Sequence, residues 1–320
     1  MQPVVFENIS ALMQRLHLPK PLHPLVALVH YDETKPDISD AGSQYLLQFY
    51  KIAFKSKFHG QAKYGPGSYD FQEGGIAFVA PNQLVELSAD LDEHEGHALY
   101  FHPDLLLRYP LGKHIHQYGF FSYSVSEALF LSEKEKEVIS ALFQSIRTEL
   151  ANNIDRFSQD VLVSQIELLL NHCNRFYNRQ FLTRNVLHHD LIDQMNLYLK
   201  DRFANQHTLI SGLPTTREIA AHLKVSQRYL SDMLRSLTGK TTQEHIHLRL
   251  VEKAKELLSR NSMTTAEVAY QLGFEHPQSF NKLFKQKTGL SPAAFRQGLL
   301  TSTTTILSTL ATGTTNGDVS

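Results

Sequence analysis

The sequence predicts an α+β chain: a strand-rich amino-terminal part, a helical middle segment and an all-helical remainder. Three observations predict it. Up to Phe101, short apolar runs are cut by turn residues, as in a small β-barrel or sandwich. From Ser132 the apolar spacing takes the helical period. Between Thr215 and Gly289 one helical pattern occurs twice.

Composition agrees with that class. With 320 residues, 42% hydrophobic and 20% charged, the chain has the make-up of a globular protein of two or three domains, at about 150 residues each. Cys173 is the only cysteine, which excludes an intrachain disulfide and suits a reducing cytoplasm. No run of about 18 apolar residues spans a bilayer, and Met1-Gln2-Pro3-Val4-Val5-Phe6-Glu7 lacks the basic-then-apolar layout of a secretory signal. A cytoplasmic protein with no membrane partner is expected. The net charge of −1 is unevenly spread: residues 181–300 carry 16 Lys+Arg against 10 Asp+Glu, residues 1–180 carry 15 against 21. A basic block on an acidic body suits a polyanionic partner, although many basic faces are merely solvated.

The strands come first. Leu25-Val26-Ala27-Leu28-Val29-His30 is an apolar run bounded by Pro24 and a polar stretch, and Tyr50-Lys51-Ile52-Ala53-Phe54-Lys55 alternates as a half-buried strand does. Gly65-Pro66-Gly67 and Gly74-Gly75 punctuate turns around Ser68-Tyr69-Asp70-Phe71. Ile76 to Ala80, Leu84 to Leu87 and His97 to Phe101 are further strands. Helices follow. Ser132 with Glu135 forms a capping box, and Val138, Ile139, Leu142, Phe143, Ile146 and Leu150 keep to one face. A second helix starts near Ser158. Its Leu162, Ile166, Leu169, Cys173 and Phe176 are spaced as a short coiled-coil seam. That seam either packs on the strand-rich part or pairs two copies into a homodimer. From about residue 189 to 299 the chain reads as helix, and 300–320 reads as a disordered tail.

The repeat carries the function. Thr215-Thr216-Arg217-Glu218-Ile219-Ala220-Ala221-His222-Leu223-Lys224-Val225 aligns with Thr264-Thr265-Ala266-Glu267-Val268-Ala269-Tyr270-Gln271-Leu272-Gly273-Phe274 at an offset of 49. Both copies open with a capping box, Thr215 with Glu218 and Thr264 with Glu267, and both place a small residue, Ala220 or Ala269, where helices approach closely. A second helix follows in each, over 226–235 and 277–285. After a one-residue insertion the offset is 50 through Leu234/Phe284, Arg235/Lys285, Thr238/Thr288 and Gly239/Gly289. The glycines are the left-handed stops. Short helix, tight turn and amphipathic second helix describe a helix-turn-helix, here present twice on a basic background. A helical repeat for protein contacts is the competing reading. Double-stranded DNA is the expected partner.

The run Arg249-Leu250-Val251-Glu252-Lys253-Ala254-Lys255-Glu256-Leu257-Leu258, then Glu267 to Phe274, Ser279-Phe280, Phe284-Lys285, Thr288-Gly289-Leu290-Ser291-Pro292 and Phe295-Arg296 resembles the AraC/XylS family of bacterial transcription regulators. The resemblance covers roughly residues 190–299. It implies two helix-turn-helix units joined by one long helix at about 241–259, with recognition helices entering successive major grooves. It also implies a cupin-like amino-terminal β-barrel that binds a small effector and dimerises, and contact with RNA polymerase. The expected layout is a cupin-like sensing domain at 1–125, a helical linker or dimerisation segment at 126–185 and the DNA-binding domain at 186–299. Two positions depart from the pattern. Lys224 stands where the second copy has Gly273, which requires a strained or altered turn. Asp232 stands where a basic or amide side chain would face DNA; it accepts from cytosine or pairs with Arg228 or Arg235.

Leu230, Met233, Leu234 and Leu237 form the inward stripe of the first recognition helix, leaving Gln227, Arg228, Ser231, Asp232 and Arg235 outward. Arg228 is the foremost candidate base reader, because a guanidinium pairs with guanine O6 and N7. In the second, Phe280, Leu283 and Phe284 face inward; Gln278, Ser279 and Lys282 face the groove, with Asn281 and Lys285 nearer phosphates. Thr216 and Thr265, at the helix starts, offer backbone N–H groups to phosphate.

Catalytic patterns are weaker. His94-Glu95-Gly96-His97 is one residue short of the HExxH zinc spacing, and His114-Ile115-His116 and His245-Ile246-His247 are pairs two apart. Residues 67–82 contain no histidine of the kind found in cupin metalloenzymes. Cys173 lies on the apolar seam. No catalytic residue, metal or cofactor is expected, so the chain reads as a regulator and not an enzyme. Two alternatives stay open: a constitutive regulator whose barrel only dimerises, and a cupin-type metalloenzyme fused to DNA-binding helices.

Overall fold

The computed structural model describes residues 3–33, 44–58, 61–64, 67–70, 74–86, 94–204, 208, 212–260 and 262–299. The tail expected at 300–320, the Gly65-Pro66 turn, Phe71 and Leu87 lie outside the described residues. The chain divides into two compact units: Met1–Asn185 with Val225–Leu237, and Val186–Lys224 with Thr238–Ser320. No helix among the described residues is long and apolar enough to cross a membrane.

The first unit holds the strands: β1 Val4–Phe6, β2 Val26–His30, β3 Gln44–Leu47, β4 Tyr50–Phe58, β5 Gln61–Tyr64, β6 Gly67–Asp70, β7 Gly75–Val79, β8 Gln83–Glu86, β9 His94–Phe101 and β10 Leu129–Phe130. Its helices are α1 Ile9–Arg15, α2 Pro110–His114, α3 Glu133–Ala151 and α4 Ser158–Thr183. Strands pair in the orders β10-β7-β4-β9-β2, β1-β3-β8 and β5-β6. The expected closed β-barrel is therefore corrected: among the described residues these are open sheets. One edge shows the physical reason. β10 is two residues long, and its outer backbone groups are taken by α4 instead of another strand. The Phe130 N–H donates to Gln180 Oε1 at 2.8 Å, and Arg179 Nη2 donates to the Phe130 carbonyl at 2.8 Å.

Period-two alternation splits the five-stranded sheet into two buried faces. On one, Ala27, Val29, Ala98 and Tyr100 meet Phe6, Tyr45, Leu47 and Phe49, with Ile9, Leu12 and Met13 of α1. The opposite face presents Phe54 and Phe78: Phe54 stacks on Phe143 of α3 at 5.6 Å between centroids, and Phe78 lies 4.2 Å from Phe120. The capping box expected at α3 is present, with the Ser132 N–H donating to Glu135 Oε2 at 2.8 Å. Val138, expected inward, is exposed. Leu162, Ile166, Leu169, Cys173 and Phe176 of α4 are all buried inside the unit, as the intrachain reading of the seam requires. Burial there pushes the Cys173 thiol far above its ordinary value, which keeps it protonated and unreactive.

The remaining helices are α5 Asn185–Ala204, α6 Thr216–Leu223, α7 Gln227–Thr238, α8 Thr242–Ser259, α9 Thr265–Gln271, α10 Pro277–Thr288 and α11 at 292–299. All but α7 lie essentially in the second unit. Its core is built on Met195 and Leu199 of α5, Ile246, Leu250 and Leu258 of α8, and a chain of rings from Phe274 through Phe280 and Phe284 to Phe295, spaced 5.5–5.7 Å. The long helix expected at 241–259 is α8. Its start is fixed by a further capping box, Thr241 with Glu244, that the sequence reading passed over.

Candidate nucleic-acid interface

In the second unit, α6 and α9 begin alike. The Thr215 N–H donates to Glu218 Oε2 at 2.7 Å, and the Glu218 N–H donates back to Thr215 Oγ1 at 3.2 Å. Thr264 and Glu267 repeat this at 2.6 and 3.2 Å. The backbone hydrogen bond from Thr264 holds the Glu267 carboxyl below its usual range. Thr216 and Thr265 thus follow directly on N-caps whose threonines are bonded to carboxylates, a less favourable setting for phosphate than the sequence suggested. The turns also match. Lys224 ends α6 in the left-handed region, at φ 57° and ψ 37°, and Gly273 after α9 has φ 90°. The strain expected at Lys224 is real, and it preserves the turn instead of altering it.

Pro277, at the first position of α10, and left-handed Gly289 bound that helix. Phe280 and Phe284 are fully buried and Leu283 half-buried, so Gln278, Ser279, Asn281, Lys282 and Lys285 form an exposed face of amide, hydroxyl and ammonium groups. No acid interrupts α10. That chemistry suits a polyanion carrying hydrogen-bonding edges.

The helix α7 belongs to the first unit up to Leu237. Leu230, Met233 and Leu234 are buried as expected, Leu237 is half-buried, and Tyr229 joins the buried set. Gln227, Arg228 and Arg235 are exposed, while Ser231 and Asp232 are half-buried. Arg228 Nε donates to Asp232 Oδ2 at 2.9 Å, one of the two pairings open to that acid. Asp232 has a second partner, the Tyr123 hydroxyl, at 2.9 Å. Burial, then the adjacent Asp232 carboxylate, raises the Tyr123 phenol far above its ordinary value, so it stays a donor. The Ser226 N–H and Oγ each donate to Glu127 at 2.6 Å. Tyr123, Glu127, Gly119 and Gln117 therefore surround α7, and the sequence reading named none of them. They lie in irregular turns between 115 and 127, where no periodicity exists to read; the aromatic density of Phe120-Phe121-Ser122-Tyr123 was the only signal.

The histidine patterns fall elsewhere. His94 and His97 lie on β9, and His114 and His116 lie in α2 and the 3-10 turn after it. On α8, His245 Nε2 is 2.9 Å from Thr238 Oγ1 and His247 Nε2 is 2.9 Å from Gln243 Nε2. Among the described residues, no three His, Cys, Asp or Glu side chains come together as a metal set.

A family model described as a helix-turn-helix domain matches residues 219–298, and one described as an AraC-like ligand binding domain matches residues 59–166. The chain is 24% identical over 171 residues to the uncharacterized HTH-type transcriptional regulator YfiF of Bacillus subtilis, covering 51% of each chain. It is 27% identical over 142 residues to the HTH-type transcriptional activator RhaS of Klebsiella pneumoniae, covering 44% of this chain and 46% of that one. The chain thus matches about half the length of these curated relatives, which are named as regulators and not as enzymes. Among solved structures, the C-terminal domain of the response regulator AraT from Geobacillus stearothermophilus is 26% identical, with a TM-score of 0.30, over 34% of this chain and 84% of that one. With an AraC-like ligand binding model matched over residues 59–166 and a helix-turn-helix model over residues 219–298, the chain is similar in both parts to the AraC/XylS family of transcription regulators.

Proposed function

We propose that this protein is a sequence-specific DNA-binding transcription regulator. In this reading α6–α7 and α9–α10 act as two helix-turn-helix units joined by α8, and α7 and α10 enter successive major grooves. The observation that carries it is the duplicated helix start and turn: the same capping box, a left-handed residue in each turn and a second helix close behind it, once at 215–239 and once at 264–289. The acid-free, exposed face of α10 supports Gln278, Ser279 and Lys282 as base readers, with Asn281 and Lys285 against phosphate. A sensing domain over 1–125 and a linker over 126–185 would place a small effector or partner under the match to the AraC-like ligand binding domain. Homodimerisation and contact with RNA polymerase follow from the family; the buried α4 seam leaves a dimer to use another surface.

The test is selection of sites from a random duplex pool by the full chain. A bipartite site with its halves about 34 Å apart, one helical turn, is the expected result. A pool that stays random at low salt overturns the reading.

A further inference from the structure

We infer that the first recognition helix is latched: the amino-terminal part of the first unit holds the start of α7 and the Arg228–Asp232 pair on the face that would read DNA. The inference rests on the reading of α7 as a recognition helix. A connected set of contacts makes the latch. Asp232, an acid poorly suited to a DNA face, accepts from the Tyr123 hydroxyl at 2.9 Å. Arg228, the foremost candidate base reader, is held by Asp232 at 2.9 Å and donates from Nη2 to the Gln117 carbonyl at 3.4 Å. Glu127, 6% exposed, accepts at 2.6 Å from both the Ser226 N–H and its hydroxyl, so a carboxylate occupies the start of α7, where a DNA phosphate would sit. The Tyr229 ring lies edge-on between Tyr123 and Phe181, at 5.2 and 5.3 Å.

Gly119 shows how closely the surfaces meet. A Cβ there would stand 2.1 Å from Asp232 Oδ2 and 2.7 Å from Arg228 Nε, so any larger residue must push that pair aside. The contact is also built to open. A cleft of about 320 Å³ between Asn174, Asn178 and Arg235 leaves it incompletely packed. Its polar groups have other uses: Glu127 also bonds the Ser124 N–H, at 2.7 Å, and keeps that partner when α7 departs. Tyr123 and Glu127 thus occupy Asp232 and Ser226 in the closed form, and Arg228 leaves the Gln117 carbonyl only in the open form.

The experiment compares the full chain with the double variant Tyr123→Phe/Glu127→Gln and, separately, with Gly119→Ala. Neither changes a residue of α7. If the open form is a minor fraction, both variants should bind the selected duplex more tightly, on the order of tenfold, and amides 227–238 should exchange with solvent faster. Binding that is unchanged or weaker while those amides exchange faster overturns the latch alone. Exchange that is unchanged in both variants also overturns it, because the contacts then do not hold α7. Failure of the wild type and of every variant to select any duplex overturns the DNA-binding reading as well.

Discussion

Lys224 and Gly273 hold equivalent turns, and only one of them is a glycine. Lys224 sits at φ 57°, where an L side chain crowds the following carbonyl at a cost of about 1–2 kcal/mol. Glycine avoids that clash but loses more chain entropy on folding, which offsets part of the gain. Lys224→Gly should therefore raise stability by about 0.5–1 kcal/mol in urea denaturation. Gly273 is the opposite case. Its φ is 90°, and a Cβ would stand 2.9 Å from the Thr208 carbonyl oxygen and the Gly212 carbonyl carbon, both backbone atoms that cannot swing away. Gly273→Ala should cost roughly 2 kcal/mol or more. Equal effects at the two sites would show that the turns are not equivalent.

At the scale of elements, what the sequence disclosed was whatever depends on near neighbours. Capping boxes at Ser132, Thr215 and Thr264 are three-residue signals, and each marks a helix start within a residue. The alternation of β4 placed Ile52 and Phe54 on one face of the sheet. What stayed hidden depends on residues far apart in the chain. β10 is too short to carry a pattern, and the sheet edge it forms is covered by Gln180, fifty residues on. The partners of Asp232 were half legible: Arg228 lies one helical turn away, whereas Tyr123 lies 109 residues away. His97 on β9 is a further long-range case, packed between His30 of β2 and Phe143 of α3, with centroids 4.6 and 5.6 Å away. Desolvation, then the positive potential of His30 and Arg147, lowers its pKa to about 4, with Asp32 opposing weakly. An unfolded histidine takes up its proton near 6.5, the folded one only near 4, so the unfolded state binds more protons within that window. Stability should fall as pH drops from 6.5 to about 4 and level off below it. His97→Phe keeps a ring against Phe143 and cannot titrate; denaturation midpoints against pH should lose this part of the acid limb.

For the whole molecule, charge is the property that composition reports and sequence order sharpens. The net charge of −1 predicts no attraction to DNA, yet residues 181–300 carry 16 basic against 10 acidic groups. Several of these bases are spent within their own helices. Arg249 pairs with Glu252, and Lys253 and Arg260 both pair with Glu256, along α8. Phosphate contacts must then come from bases without such partners, and Lys282 and Lys285 of exposed α10 are the first of them. Because each neutralised phosphate releases condensed counterions, log affinity falls with log salt at a slope of about −0.9 per phosphate. Roughly four to six contacts would give a slope of about −3.6 to −5.4 for the wild type. Lys285→Ala, assigned to a phosphate, should weaken binding to all duplexes alike and reduce the slope by about 1. Gln278→Ala, assigned to a base edge, should leave the slope alone and cost about 1–3 kcal/mol on the selected site only. Fluorescence titrations of the full chain across salt separate the two. If Lys285→Ala leaves the slope unchanged, α10 does not lie along the backbone as proposed; if Gln278→Ala weakens every duplex equally, it does not read a base.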